Sequence, residues 1–204
     1  MSFTTQPAET QLQQELAETQ VELQRSQERC AGLEEQNSML TTLYVACQRL
    51  HSSLDRDAVL LALREIIANL IGCEEYALFS LAPSLAPDGE LLLVDSWGLD
   101  PAECQQRASS LERIQKVVET GVAYVAAETE SFGPSKELLL TACIPLLRDG
   151  EVTGVLALFR LLSHKGELQA LDHELFRLLE CHVANVLYCL NLHEGRRCGT
   201  GAAR

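Results

Sequence analysis

Cysteine and histidine are the residue types in this chain best suited to chemistry, because thiolates and imidazoles serve as nucleophiles and as metal ligands. The chain contains eight cysteines and five histidines. No C-x-x-C pair occurs, and Cys73, Cys143 and Cys189 fall within apolar patterns. Buried cysteines in a reducing compartment pack as small hydrophobic residues. We therefore expect the cysteines to fill the core, and we expect no metal site.

The histidines are scattered rather than clustered along the chain. They occupy positions 51, 164, 173, 182 and 193, at predicted helix ends, in loops or on an outer helix. No Ser-His-Asp order, glycine-rich phosphate loop or paired-carboxylate motif accompanies them. The sequence therefore predicts a protein with no catalytic residues, which is not an enzyme.

The charge balance is strongly acidic, with a formal net charge of -13. This balance disfavours binding to nucleic acid or to an anionic membrane surface, since both require clustered lysine and arginine. The N-terminus has neither the basic region nor the apolar region of a signal peptide. No apolar run reaches the length of about 18 residues that a membrane span requires. We therefore expect a cytoplasmic protein.

The clearest structural signal is a hairpin over residues 138–162. Two apolar runs flank Arg148, Asp149, Gly150 and Glu151. Aspartate followed by glycine accepts the positive φ angles of a tight hairpin turn. Both arms are almost continuously apolar, which is typical of central strands covered on both faces.

The remaining pattern predicts an α+β fold with one antiparallel sheet and helices mainly on one face. Asp55 or Ser53 can cap the start of an amphipathic helix, and Gly72 suits its end. Two strands follow at 75–81 and 90–97, then a helical segment at 103–119 and a short strand at 122–126. A long helix is predicted over 168–193, and a disordered tail over 194–204.

The N-terminal region is rich in glutamine, glutamate and leucine, and it fits a heptad repeat. Apolar residues at 3-4 spacing indicate a left-handed coiled coil, and Asn37 at an a position favours a dimer. The alternative is a solvated single helix or a disordered arm, and Gly32 favours that alternative because glycine weakens helices. The dimer interface is predicted to include Leu16, Leu23, Leu33, Asn37 and Leu40.

The last predicted helix carries two apolar stripes, of which one can cover the sheet and the other can meet a partner helix. The stripe assigned to the dimer interface comprises Phe176, Leu179, Val183, Val186 and Leu190. The other stripe comprises Leu171, Leu175, Leu178 and His182.

With these elements in order, the chain resembles the GAF domain family. The most specific match is IPLLRDGEVTGVL at 144–156, and the segments at 49–60, 114–125 and 171–176 resemble other parts of the family pattern. The resemblance implies a GAF-like antiparallel sheet preceded by a coiled-coil helix. The implied domains are a coiled-coil helix at 1–42, whose first residues are disordered, and a GAF domain at 43–193.

GAF domains are sensory or regulatory modules that are usually dimeric, and many bind a small molecule. Members that bind cyclic nucleotides carry an Asn-Lys pair, a Phe and an Asp-Glu pair. Here Lys165 and Asp172 match, whereas His164, Leu168 and His173 do not. Bilin, haem and methionine sulfoxide chemistry fit the cysteine and histidine positions no better. The cofactor is therefore unknown.

If a ligand pocket exists, its wall is expected to include residues at strand ends and in the loop before the hairpin: Trp97, Tyr124, Phe132, Thr141 and Cys143. Plain core packing is the alternative for these side chains. The resemblance implies a non-enzymatic homodimer that passes a signal to a separate effector protein, with a possible small-molecule ligand. The alternative is a ligand-free scaffold or adaptor for protein–protein interaction.

Overall fold

The computed structural model describes residues 6–81, 91–102, 104, 112–126, 140–162, 165 and 168–201. The chain divides into two units, Met1–Tyr44 and Val45–Arg204. The helices are α1 (Gln6–Leu50), α2 (Arg56–Ile66), α3 (Glu112–Thr120) and α4 (Ala170–Gly201). The strands are β1 (Cys73–Ser80), β2 (Leu92–Trp97), β3 (Tyr124–Val125), β4 (Ala142–Arg148) and β5 (Glu151–Leu161).

The five strands form one antiparallel sheet in the order β2-β1-β5-β4-β3. This arrangement confirms the predicted α+β class. The longest strand, β5, lies at the centre and pairs with both β1 and β4. The two edges are formed by β2 and β3, which makes them the most distant strands of the sheet.

The predicted hairpin is present between β4 and β5. Asp149 and Gly150 form its two-residue loop, with φ angles of 54° and 87°. Positive φ at both positions is the signature of a type I′ turn, whose twist matches that of the flanking strands. The first five residues of β4 are buried. The prediction of strands covered on both faces is therefore confirmed for this pair.

Gly154 allows β1 and β5 to pair closely. A Cβ atom at this position would lie 2.3 Å from the Phe79 carbonyl oxygen. No side chain fits at that distance without a shift of one strand. Gly154, the second glycine of the 144–156 segment, therefore allows the close approach of the two strands.

Helices lie mainly on one face of the sheet, as predicted, and the short α3 lies on the other. On one face α4 packs along β4, and the Arg148 guanidinium stacks 3.8 Å from the centre of the Tyr188 ring. On the other face α3 contributes Ile114 and Val117 to an apolar cluster that includes Cys143. Arg148 and Cys143 are an odd number of residues apart in β4, so alternation places them on opposite faces.

The α2 helix has the predicted caps. The Asp55 carboxylate accepts a 3.0 Å hydrogen bond from the Ala58 amide at the first turn. A π-helical segment, Ile67–Ile71, continues α2, and Gly72 ends it with a φ of 73°. Both cap predictions are therefore confirmed.

The α4 helix differs from its prediction in length. It continues past His193 to Gly201, where a disordered tail was expected. Arg56 of α2 donates hydrogen bonds to Asn191 and Glu194, which holds this part of α4 against α2. A polar helix end of this kind has no apolar period, so the sequence pattern did not indicate it.

The apolar stripe of α4 that was assigned to a dimer interface lies inside the chain. All five of its members are buried within the single chain: Phe176, Leu179, Val183, Val186 and Leu190. Their assignment is therefore corrected to the core. A stripe that covers a sheet and a stripe that meets a partner have the same spacing, and spacing alone does not distinguish them.

The α1 helix is continuous through Gly32, contrary to the alternative of a disordered arm. Its seam leucines are exposed in the single chain, with Leu33 and Leu40 each 64% accessible. Within the described residues, no helix combines the length and the apolar character needed to cross a bilayer.

Candidate functional site

The predicted pocket residues do not form one group. Trp97 pairs with Tyr76 at the β2 edge, whereas Tyr124 pairs with Cys143 at the β3 edge. Four strand spacings separate these edges, a distance of roughly 19 Å. The two aromatic rings also lie on opposite faces of the sheet, because their paired neighbours do. The prediction that Trp97 and Tyr124 line one pocket is therefore corrected.

Three of the predicted residues do lie together, on the face covered by α3. Tyr124 pairs with Cys143, and Thr141 lies two residues before Cys143 on the same side of the chain. The Tyr124 hydroxyl accepts a hydrogen bond from Arg113, whose guanidinium also covers the ring. Phe132, the fifth predicted residue, lies outside the described residues.

The polar groups on this face are already satisfied or neutral. The Thr141 hydroxyl donates a 2.5 Å hydrogen bond to the Phe159 carbonyl oxygen. Burial raises the pKa of the Cys143 thiol to about 12, so this group stays protonated at neutral pH. A protonated, fully buried thiol is a poor nucleophile. Thr141 and Cys143 therefore behave as packing residues.

Trp97 belongs to a separate polar network between α2 and the β1–β2 edge. Arg64 of α2 stacks 4.4 Å from the centre of the Trp97 ring and pairs with Asp95 at 3.0 Å. The buried Tyr76 hydroxyl donates a 2.5 Å hydrogen bond to the same carboxylate. Burial raises the pKa of Tyr76, and the hydrogen bond to Asp95 raises it further. This network attaches α2 to the sheet.

Lys165 and Asp172, which matched part of the cyclic-nucleotide pattern, bond to each other. The Lys165 ammonium lies 2.7 Å from Asp172 Oδ1, and it also donates to the Ile71 carbonyl. The second carboxylate oxygen accepts a 2.7 Å bond from the Gln169 amide, just before α4. Both side chains are largely buried, so this ion pair joins α4 to the end of α2 and its π-helical extension.

A cluster of three residues that can ligate a metal lies where the end of α1 meets α4, and it consists of Cys47, His51 and His182. All three belong to the unit Val45–Arg204. His51 Nε2 lies 2.9 Å from His182 Nδ1, and Cys47 Sγ lies 3.7 Å from the same nitrogen. Burial lowers the pKa of His182, and the charge of His51 lowers it further. We call these three residues the helix-junction cluster.

Sequence reasoning missed this cluster, although half of its signal was available. Cys47 and His51 are four residues apart in a predicted helix, a spacing that places two ligands on one side. The heptad repeat that places Leu33 and Leu40 at d positions also places Cys47 at one, so the predicted seam already accounted for this cysteine. The third member, His182, lies 135 residues further along the chain than Cys47. Only the fold brings it to this position.

Comparison with known proteins identifies the fold. No family model matches the chain, and no curated protein matches it in sequence. Solved structures do match. The GAF domain of phosphoenolpyruvate-protein phosphotransferase from Acinetobacter aligns with a TM-score of 0.55 at 19% identity, over 78% of this chain and 96% of that one.

The chain has the GAF fold. Two further structures align over most of the chain. Residues 122 to 287 of a methyl-accepting chemotaxis protein align with a TM-score of 0.51 at 19% identity, over 72% of this chain and 97% of that one. A GAF domain/HD domain protein from Geobacter sulfurreducens aligns with a TM-score of 0.50 at 16% identity, over 71% and 99%.

Proposed function

We propose that this chain is a non-enzymatic sensory or regulatory module of the GAF type. It acts as a homodimer joined through α1, and it passes a signal to a separate partner protein. The observation that carries the proposal is the exposed leucine seam of α1, a helix that continues directly into the GAF-fold unit.

The seam favours a second copy of the same helix as its partner. Leu16, Leu23, Leu33 and Leu40 are each at least 57% accessible in the single chain. Exposed leucines at heptad spacing lose contact with water when two such helices coil together. Asn37 lies at an a position of the same seam, where paired amides favour a two-stranded register.

The proteins that contain the similar structures support a regulatory function. One is part of a methyl-accepting chemotaxis protein, and another is the GAF domain of a phosphotransferase. The proposed route of the signal is a small shift in the sheet that changes how α1 and α4 pack. Shifts of helices at subunit interfaces are an established means of such transmission.

The absence of catalysis is part of the proposal and is supported by the buried thiols. Burial raises the pKa of Cys73 to about 11 and that of Cys143 to about 12. Both groups therefore remain thiols at neutral pH, whereas sulfoxide reduction requires a reactive thiolate.

Sedimentation velocity on the full chain tests the dimer. We expect a dimer at tens of micromolar, and we expect Leu33→Lys to weaken it at least about tenfold, because two lysines would then face each other in the seam. Glu35→Gln is the matched control, because it changes the net charge by the same amount as Leu33→Lys but on the outer side of α1. A monomeric wild-type chain, or a Leu33→Lys variant that dimerises normally, would contradict the proposal.

A ligand-free scaffold is the second candidate function. It is favoured by the α3 side of the sheet, where the Thr141 hydroxyl already donates to the Phe159 carbonyl oxygen and the Cys143 thiol is buried and protonated. Thermal unfolding in the presence of a metabolite panel that includes cyclic nucleotides separates the two functions. A ligand that binds only the folded state raises Tm, whereas a scaffold shows no shift with any compound.

A further inference from the structure

We propose that Cys47, His51 and His182 bind a divalent transition-metal ion of the zinc class. The metal would join the end of α1 to α4 by three protein ligands. The inference goes beyond the proposed function, because metal binding within one chain does not require a dimer or a partner protein.

The three ligands are held on two helices that are anchored independently of them. Cys47 and His51 lie one turn apart, on the same side of the chain at the end of α1. Ala46 and Leu50, in that same turn, are buried and supply the packing against the domain. Cys47 and His51 are therefore not needed to attach the helix, and their side chains remain available to a ligand.

The interatomic distances are close to those of a tetrahedral site. Ligand bonds of ordinary zinc length would place two nitrogens about 3.3 Å apart and a nitrogen and a sulfur about 3.6 Å apart. The corresponding distances are 2.9 Å between His51 Nε2 and His182 Nδ1, and 3.7 Å between Cys47 Sγ and His182 Nδ1. All three ligand atoms lie within 4.8 Å of one another, so small side-chain rotations would bring them to the distances of a tetrahedral site.

The donor set selects the class of metal. One thiolate and two imidazoles suit zinc and its softer neighbours, whereas magnesium and calcium prefer oxygen ligands. His51 is exposed and the other two residues are half-buried, so water can reach a fourth coordination position. Three protein ligands and one water make an exchangeable site rather than a closed structural one.

Binding changes the protonation state of the cluster in a defined way. Without metal, the N–H group of one imidazole donates a hydrogen bond to the other ring across the 2.9 Å contact. With metal, each ring keeps one proton on the nitrogen remote from the ion, and the Cys47 thiol loses its proton to solvent. The balance is therefore the uptake of one metal ion and the release of one proton per chain.

Competition titration of the reduced full chain with zinc and a chromophoric chelator tests the site. We expect one zinc ion per chain, with one proton released in calorimetry across buffers. We expect Cys47→Ser, His51→Asn and His182→Asn each to weaken zinc binding about 100-fold or more. Loss of a residue that only hydrogen-bonds to a ligand already lowers metal affinity by about 10- to 100-fold, and loss of the ligand itself should lower it further. His51 is exposed, so His51→Asn is expected to fold normally and keeps the test valid if His182→Asn does not fold.

Cys189→Ser and His173→Asn are the matched controls, because they remove an exposed thiol and an exposed imidazole from the same helix. Both are expected to retain wild-type affinity. Zinc should also raise Tm in the wild type and the controls, and it should fail to do so in the three ligand variants. Wild-type zinc affinity in the His51→Asn variant would contradict the proposed site. An equal loss of zinc affinity in the two control variants would also contradict it.

Discussion

Two polar clusters meet the α4 helix, and they differ in almost every physical respect. Lys165 and Asp172 lie near its start, where opposite charges are buried and each carboxylate oxygen has a partner. The helix-junction cluster lies further along α4, where three ligand groups remain half-buried or exposed. The first cluster is closed by its own bonds, and the second has lone pairs that water and ions can reach.

This difference indicates which cluster maintains the structure and which can respond to a ligand. A buried ion pair with complete hydrogen bonding leaves no group for a ligand, and removal of one partner leaves a buried charge. Half-exposed thiol and imidazole groups can exchange partners without such a penalty. The α3 side of the sheet resembles the closed cluster, because Thr141 and Cys143 are buried and the Thr141 hydroxyl donates its hydrogen bond to the Phe159 carbonyl oxygen.

The largest expected effect is that of Asp172→Ala, which would leave the Lys165 ammonium without its carboxylate partner. We expect a loss of about 3 to 4 kcal/mol in the free energy of unfolding, typical of a broken buried ion pair. Urea unfolding followed by the fluorescence of Trp97 measures it, because this is the chain's single tryptophan.

Glu174→Gln is the control for that prediction, since it removes an exposed acid that pairs with Arg177 one turn later in α4. Exposed pairs contribute less than about 1 kcal/mol, so this variant should unfold nearly as the wild type does. An equal loss of unfolding free energy in the two variants would show that the buried Lys165–Asp172 pair stabilises the fold no more than an exposed ion pair does.

The next largest effect is expected for Gly154→Ala in the sheet. The new Cβ would lie 2.3 Å from the Phe79 carbonyl oxygen, so β1 and β5 would have to separate. We expect a loss of about 2 to 3 kcal/mol in the free energy of unfolding, the range of overpacked cores. Gly32→Ala is the control, because no atom lies near its Cβ position and alanine favours helix. An unchanged urea midpoint for Gly154→Ala would contradict the close approach of the strands.

The smallest expected effect concerns the rates at which individual cysteines react with iodoacetamide. Burial raises the pKa of Cys73 to about 11, from an ordinary thiol value of 9.0. At pH 8 its thiolate fraction should therefore be about 100-fold below that of an ordinary thiol, and its alkylation correspondingly slower. Peptide mass spectrometry measures each site. Zinc should protect Cys47 alone, and protection of Cys30 to the same degree would argue against the helix junction as the metal site.

The sheet was predictable because its signals are local. Asp149 and Gly150 indicate the turn by their own backbone preferences, and the flanking apolar runs indicate buried strands. Asp55 and Gly72 indicate the limits of a helical segment in the same way. Each of these inferences needs only a few neighbouring residues, and the structure confirms all of them.

The site was not predictable because it depends on contacts between distant parts of the chain. Cys47 and His182 are 135 residues apart, and the heptad pattern gave Cys47 a different explanation. Trp97 and Tyr124 looked equivalent as aromatic residues at strand ends, yet strand order places them at opposite edges. The α4 stripe was assigned to a partner for the same reason, since periodicity identifies a buried face without identifying what buries it.

X-ray absorption of the zinc-loaded full chain tests most directly whether the accessible chemistry of this molecule lies at the helix junction. We expect one sulfur at about 2.3 Å and nitrogen ligands at about 2.0 to 2.1 Å, with the sulfur lost in the Cys47→Ser variant. A zinc shell of oxygen and nitrogen alone, or a sulfur ligand that persists in Cys47→Ser, would contradict it.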